Sequence, residues 1–232
     1  MNIAIIVAAG TGSRFSPAQP KQFTQILGKP LLIHTVECFE ACPAVDEIVL
    51  VLSNDGREQF QMSNFVSEIS KVRSIVTGGA TRAESVKNGL DAIDAALANV
   101  VAVHDGARPL VTVDEITRTI VKADEIGAAC LVAEVTDTIK EIREGVIVGT
   151  VDRNKLRRAL TPQAFRYDIL QRAFANADLG DNVTDECYLV EKLGVEIAMV
   201  EGSSRNIKIT RAEDIRIAEM FLSEPPALAG GQ

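Results

Sequence analysis

The stretch NIAIIVAAGTGSR, Asn2 to Arg14, decides the fold. Its first eight residues are almost unbroken apolar sequence, the pattern of a strand covered by helices on both faces. The strand then breaks into a glycine loop that carries Arg14, and Lys21 follows in PKQF. Glycines let backbone N–H groups close on phosphate oxygens, and an arginine adds a permanently charged planar fork. Neither common phosphate fingerprint is present. No Gly-Lys-Ser/Thr ending occurs in the chain, and Gly10 and Gly12 are followed by Phe15 where a dinucleotide fold places its third glycine.

Outward from that loop, strand-like runs alternate with helical ones. EIVLVLS (47–53), VVAVHD (100–105) and GAACLVAEV (127–135) repeat the apolar pattern of the first strand. Thr81-x-x-Glu84, Thr112-x-x-Glu115 and Thr210-x-x-Glu213 each predict a capping box opening a helix. The first helix carries Val86, Leu90, Ile93 and Leu97 on one stripe. This alternation predicts an α/β fold with a doubly wound, mostly parallel sheet. Residues 137–153 instead alternate with period two around Glu144-Gly145, which predicts an inserted β-hairpin. A two-stranded ribbon is marginal alone, so it packs either on another subunit or back on its own domain. One domain over 1–222, with an arm at about 136–156 and a flexible tail at 223–232, is the expected organisation.

Composition narrows the partners. The 232 residues carry a formal charge of −8, which excludes a nucleic-acid polymer but not a small anion. Cys38, Cys42, Cys130 and Cys187 form no CxxC pair and only two histidines are present, so reduced core thiols are expected rather than a zinc site. No apolar run is long enough to span a bilayer and no basic leader opens the chain, so a soluble, cytoplasmic protein is expected.

Ligands of open parallel sheets bind at the carboxyl ends of the strands, and the loops with chemistry fall there. Ala8, Ala9 and Gly10 leave the first strand. TGGATRAES (77–85) offers close backbone approach at its glycines and a hydroxyl at Ser85. In VHDGARP (103–109), Asp105 suits a metal ion or a sugar hydroxyl and Arg108 a phosphate, or the two simply tie the loop as an ion pair; His104 reads as structural. The basic run TVDRNKLRRALTPQAF (150–165) is either an anion site or a solvated face. Thr184 in NVTDE reads as a helix cap. Lys208, alternating with Ile207 and Ile209, points away from their side, toward either solvent or the site.

Taken together, AAGTGSRF…PKQF, GGATRAESV, VHDGARP, TVDR…LTPQ, VTDE and RNIKITRAEDI occur in the order found in the 2-C-methyl-D-erythritol 4-phosphate cytidylyltransferases, and the chain resembles that family from about Asn2 to Leu222. The resemblance implies a nucleotide-diphospho-sugar transferase fold, CTP and a polyol phosphate as substrates, a Mg²⁺ or similar divalent requirement, and a homodimer joined through the arm. By the same resemblance, Arg14 and Lys21 are the transition-state stabilisers. Ala8, Ala9, Gly10, Gly12, Gly79, Ser85, Asp105 and Gly106 contact CTP, with Asp105 near a metal held mainly by the CTP phosphates. Asp105, Arg108, Arg153 from the partner subunit, Thr161, Thr184 and Lys208 take the acceptor. One departure follows VTDE, where the family has small residues and this chain has Cys187 and Tyr188. A same-fold enzyme acting on ribitol 5-phosphate and a non-catalytic nucleotide-binding module are the alternatives.

Overall fold

In the computed structural model, residues 1–10, 21–62, 65, 69–175, 177–180 and 182–224 are described. Gly12, Arg14 and residues 225–232 of the expected tail lie outside them. The strands are β1 (Asn2–Ala8), β2 (Gln25–Ile26), β3 (Lys29–Pro30), β4 (Glu47–Leu52), β5 (Val72–Thr77), β6 (Val100–Asp105), β7 (Ala128–Glu134), β8 (Ile139–Arg143), β9 (Val146–Val151), β10 (Arg157–Arg166) and β11 (Ala198–Glu201). The helices are α1 (Leu31–Glu40), α2 (Asn54–Gln61), α3 (Arg82–Asp91), α4 (Val113–Ile126), α5 (Tyr167–Ala175), α6 (Glu186–Glu191) and α7 (Glu213–Ser223).

Among the described residues the centre is a seven-stranded sheet in the order β11-β7-β10-β6-β1-β4-β5. β1 pairs in parallel with β4 and β6, β4 with β5, and β7 with β11. Side chains alternate along β1, so Ala4, Ile6 and Ala8 enter one core with α1 and α4, while Ile3 and Ile5 enter the other with α3 and α5. A continuous apolar run is the required sequence for such a strand, because neither face meets water. Two of the three expected capping boxes form, at Thr81–Glu84 and Thr112–Glu115. Gly127, at φ 111°, ends α4 where a side chain would be strained.

Several expectations are corrected. α3 stops at Asp91, so Leu97 lies outside it and is exposed. Thr210 does not open α7. The helix starts at Glu213 after Ala212, and the Asp214 carboxylate instead accepts from the backbone N–H groups of Thr210 and Arg211. Thr184 is not a cap either, since Asp185 accepts from the Tyr188 N–H. The largest difference is β10. Its basic, proline-containing sequence reads as a loop, yet it inserts antiparallel between β6 and β7. Buried from Leu160 to Phe165, it is pulled into the sheet by neighbours that only the tertiary fold supplies.

The hairpin is as expected. Glu144 and Gly145, at φ 50° and 81°, make the tight turn between β8 and β9, which form a separate two-stranded sheet. Ile142, Val146, Ile147 and Val148 on this hairpin are exposed, so its apolar side chains are not folded back onto the domain. All four cysteines are free thiols, and no helix of the described residues is long and apolar enough to cross a membrane.

A polar chain locks β10 to the end of β6. The Asp105 N–H donates to Thr161 Oγ1 (3.1 Å), which lies 3.0 Å from His104 Nδ1, and His104 Nε2 lies 3.2 Å from the Arg108 carbonyl. A carbonyl can only accept, so Nε2 carries the proton and Nδ1 accepts from Thr161. His104 is fully buried, and burial lowers its pKa from 6.5 to about 3. The unfolded chain therefore takes up a proton near pH 6.5 that the folded one refuses until about pH 3. Stability is complete above that window and falls as pH drops through it, by on the order of 5 kcal/mol in total. Urea unfolding of metal-free protein at pH 7 and pH 4 should show the loss, and His104→Gln, which cannot ionise, should lose much less between the same two points.

Candidate active site

The carboxyl ends of β1, β5 and β6 converge on a cleft of about 620 Å³. Ala8, Ala9, Gly10, Lys21, Gly79, Ser85, Asp105, Gly106 and Lys208, distant in the sequence, all line it. The close approach of the segments around it explains Gly78 and Gly106. A side chain at Gly78 would place its Cβ 2.2 Å from that of Ala9, and one at Gly106 would sit 2.8 Å from that of Ala8. Glycine at 78 is thus demanded by protein packing before any ligand is considered. Ser85 is similarly committed, since its hydroxyl donates to the Thr81 carbonyl (2.9 Å) and accepts from the Gly79 N–H (3.1 Å). It shapes the loop that faces the cleft.

Lys21 stands on a 3-10 turn, Lys21–Phe23, with its ammonium on the Ile209 carbonyl at 2.6 Å. That bond ties the N-terminal loop to the segment carrying Lys208. Lys208 lines the cleft with its ammonium on Asp105, so the alternation that left it between solvent and site resolves to the site.

The cleft's electrostatics centre on Asp105, which is 6% exposed and surrounded by cations. Arg82 Nε lies 3.0 Å from Oδ1, while Arg108 Nε (3.2 Å) and Lys208 Nζ (3.0 Å) share Oδ2. Burial alone would raise this carboxyl, but Arg82, Lys208 and Arg108 outweigh it and hold it well below the ordinary carboxylate range. Arg82 also grips fully buried Glu186 with both terminal nitrogens, Nη1 to Oε1 at 2.6 Å and Nη2 to Oε2 at 3.1 Å. Burial pushes the Glu186 carboxyl up against the pull of Arg82, so three cations against two carboxyl groups leave the cluster at least one net positive charge, and Lys21 adds another. A cleft so charged, walled by glycine-loop backbone, suits a polyanion.

Other expected residues stand apart. Thr161 is buried behind Asp105 in the hydrogen-bonded chain to His104, not in the cleft. Thr184 is exposed beside α6. Arg153, at the foot of the hairpin, donates to the Thr136 carbonyl and does not reach this cleft. Arg82 and Glu186 were missed as a pair. Both lie within quoted motifs, but no local spacing links residues 104 positions apart. Cys187 packs buried against Cys130, and Tyr188 sits under the Lys192 ammonium. Neither lines the cleft, so the departure after VTDE is one of packing behind it.

Known proteins agree with this geometry. Residues 2–224 match the family model described as 2-C-methyl-D-erythritol 4-phosphate cytidylyltransferase. The chain is 41% identical over 220 residues to a bifunctional enzyme IspD/IspF of Desulfotalea psychrophila, covering 95% of this chain but only 56% of that longer protein. It is 41% identical over 227 residues to a 2-C-methyl-D-erythritol 4-phosphate cytidylyltransferase of Syntrophotalea carbinolica, covering 95% of this chain and 96% of the relative. Among solved structures, the 4-diphosphocytidyl-2C-methyl-D-erythritol synthase of Anaerococcus prevotii superposes with a TM-score of 0.84 at 27% identity, over 96% of each chain. With a match that runs through every strand of the sheet and both walls of the cleft, the chain belongs to the 2-C-methyl-D-erythritol 4-phosphate cytidylyltransferase family.

Proposed function

We propose that this chain transfers the cytidylyl group of CTP to 2-C-methyl-D-erythritol 4-phosphate. The products are 4-diphosphocytidyl-2-C-methyl-D-erythritol and pyrophosphate. An oxygen of the acceptor phosphate attacks the α-phosphorus of CTP in line with the departing pyrophosphate. The observation that carries the reading is the joining, in one cleft, of the β1 glycine loop with Lys208 and Asp105, the latter backed by Arg108. The first is suited to a nucleoside triphosphate and the second to a phosphorylated polyol. A binding module for CTP alone would not need the second.

No general base is required, because a phosphate monoester is already ionised near neutral pH. The site agrees: its histidine, His104, is buried and neutral with both ring nitrogens engaged. What remains is to hold two polyanions together and stabilise charge growing on the α-phosphoryl oxygens. In this reading Lys21 and Arg14 do the stabilising. Ala8, Ala9, Gly10, Gly12, Gly79, Ser85 and Gly106 form the nucleotide wall, and Asp105, Arg108 and Lys208 hold the acceptor.

Both Asp105 oxygens are taken by cations, so the protein offers a divalent ion little and the nucleotide would have to carry it in. Among the described residues no three His, Cys, Asp or Glu side chains group as ligands, so the triphosphate and water would hold the ion, as Mg²⁺ commonly accepts, with Asp105 near it. When bound, such an ion neutralises phosphate charge.

The exposed apolar hairpin supports a homodimer joined through this arm, with Arg153 serving the partner's cleft rather than its own. The free state of all four thiols supports the cytoplasm as the compartment.

Three measurements check these readings. Pyrophosphate release with CTP and Mg²⁺ should be fast with 2-C-methyl-D-erythritol 4-phosphate and slow with ribitol 5-phosphate; the reverse preference moves the acceptor, and CTP binding with no release from either leaves only a binding module. Lys21→Ala should stay folded yet lose about 10²–10³ in turnover, and near-normal turnover removes Lys21 from its role. Ile147→Glu should shift the sedimentation mass from two chains to one and lower activity, whereas an unchanged mass means the arm does not join the copies.

A further inference from the structure

Glu186 poses a problem that packing does not solve. A fully buried carboxylate is costly, and replacing a buried ion pair by apolar residues is often neutral or stabilising. Yet this one is held rigidly from two sides. Gln163, in the middle of β10 and 1% exposed, accepts from the backbone N–H groups of Glu186 and Cys187 (both 3.1 Å) and donates to Asp185 Oδ2 (2.9 Å). The start of α6 is thus fastened to the centre of the sheet. From there both Glu186 oxygens engage Arg82, whose remaining nitrogen, Nε, engages Asp105 Oδ1.

The two edges of Asp105 are therefore unlike. Oδ1 is held by an arginine whose charge is already matched by Glu186 and whose fork is filled by carboxylates. Oδ2 is held by Arg108 and by Lys208, whose side chain is 39% exposed in the cleft. An arriving phosphate meets both Lys208 and Arg82 on the cleft wall, but all three Arg82 nitrogens are already engaged by carboxylates, so Lys208 is the cation it can draw away.

We infer that Glu186 and Arg82 are positioning residues for the transfer: Glu186 fixes Arg82, and Arg82 fixes Asp105 by Oδ1, so that Oδ2 is the edge that opens when the acceptor phosphate draws Lys208 toward itself. The freed oxygen accepts a hydrogen bond from a hydroxyl of the polyol, which orients the acceptor. The charged acceptor thereby uncovers the group that reads its uncharged part. This inference rests on the transfer reaction proposed above.

The test compares Glu186→Gln, Arg82→Gln, their double variant and Arg82→Lys by pyrophosphate release, with folding checked by thermal unfolding. Glu186→Gln removes no cation, so attraction for a phosphate is not weakened, while the brace is lost. Its kcat should fall about 10- to 100-fold, with the acceptor KM unchanged or lower. Because Glu186 acts through Arg82, the double variant should be no worse than Arg82→Gln alone. Arg82→Lys keeps the charge without the fork and should lose kcat about as much as Arg82→Gln. Wild-type kcat in Glu186→Gln, a higher acceptor KM at preserved kcat, or losses that multiply in the double variant would each overturn the inference. If Glu186→Gln does not fold, Arg82→Lys decides: undiminished turnover overturns the brace. Silence from the wild-type protein sinks the transfer reaction and this inference with it, whereas wild-type turnover beside an undiminished variant sinks the inference alone.

Discussion

A carboxylate at the carboxyl end of a buried parallel strand is tolerable only if cations surround it, and much of this site's architecture meets that demand at Asp105. Three cations reach it from three directions: Arg82 from the start of α3, Arg108 from the loop after β6, and Lys208 from a segment about a hundred residues further on. Each must be delivered accurately, because a buried charge left without its partner is strongly destabilising. The capping box that starts α3 at Thr81, the Arg108 bond to the Asn206 carbonyl and the Lys21 bond to the Ile209 carbonyl all hold the elements that deliver them. Stability and chemistry thus draw on the same charges.

The antiparallel β10 serves that centre rather than interrupting it. Lying between β6 and β7, it presents Thr161 to the Asp105 backbone on one side and Gln163 to the start of α6 on the other. The same chain segment leaves the exposed hairpin of β8 and β9. One excursion therefore braces the site from within and carries an apolar arm outward.

Legibility followed the range of each interaction. β1, β4, β6 and β7 could be read because a strand covered on both faces must be apolar at every position. The boxes at Thr81 and Thr112 could be read because a cap and its partner lie three residues apart. The turn at Glu144-Gly145 could be read because two residues suffice to reverse a hairpin. β10 was opaque: Arg157 and Arg158 lie at its exposed start, and a proline stands in the middle of its buried half. Thr210 and Thr184 misled because an aspartate nearby, Asp214 or Asp185, offered the better acceptor in the folded geometry. Among site residues, the cleft-lining backbone at Ala8 to Gly10 and the charges of Lys21, Asp105 and Lys208 were visible in their motifs, whereas Thr161 proved to support the site from behind.

The sequence alone therefore determined the fold class, the family and the loops that carry charge, since these rest on local periodicity and on short motifs in a set order. Only the tertiary structure decided which charges meet. Arg82 and Glu186 gain their roles by contact across 104 positions, and Lys208 turns into the cleft because the Asp105 carboxylate stands there. The energies of buried ion pairs depend on distance and on exclusion of water, and neither exists until the chain has folded.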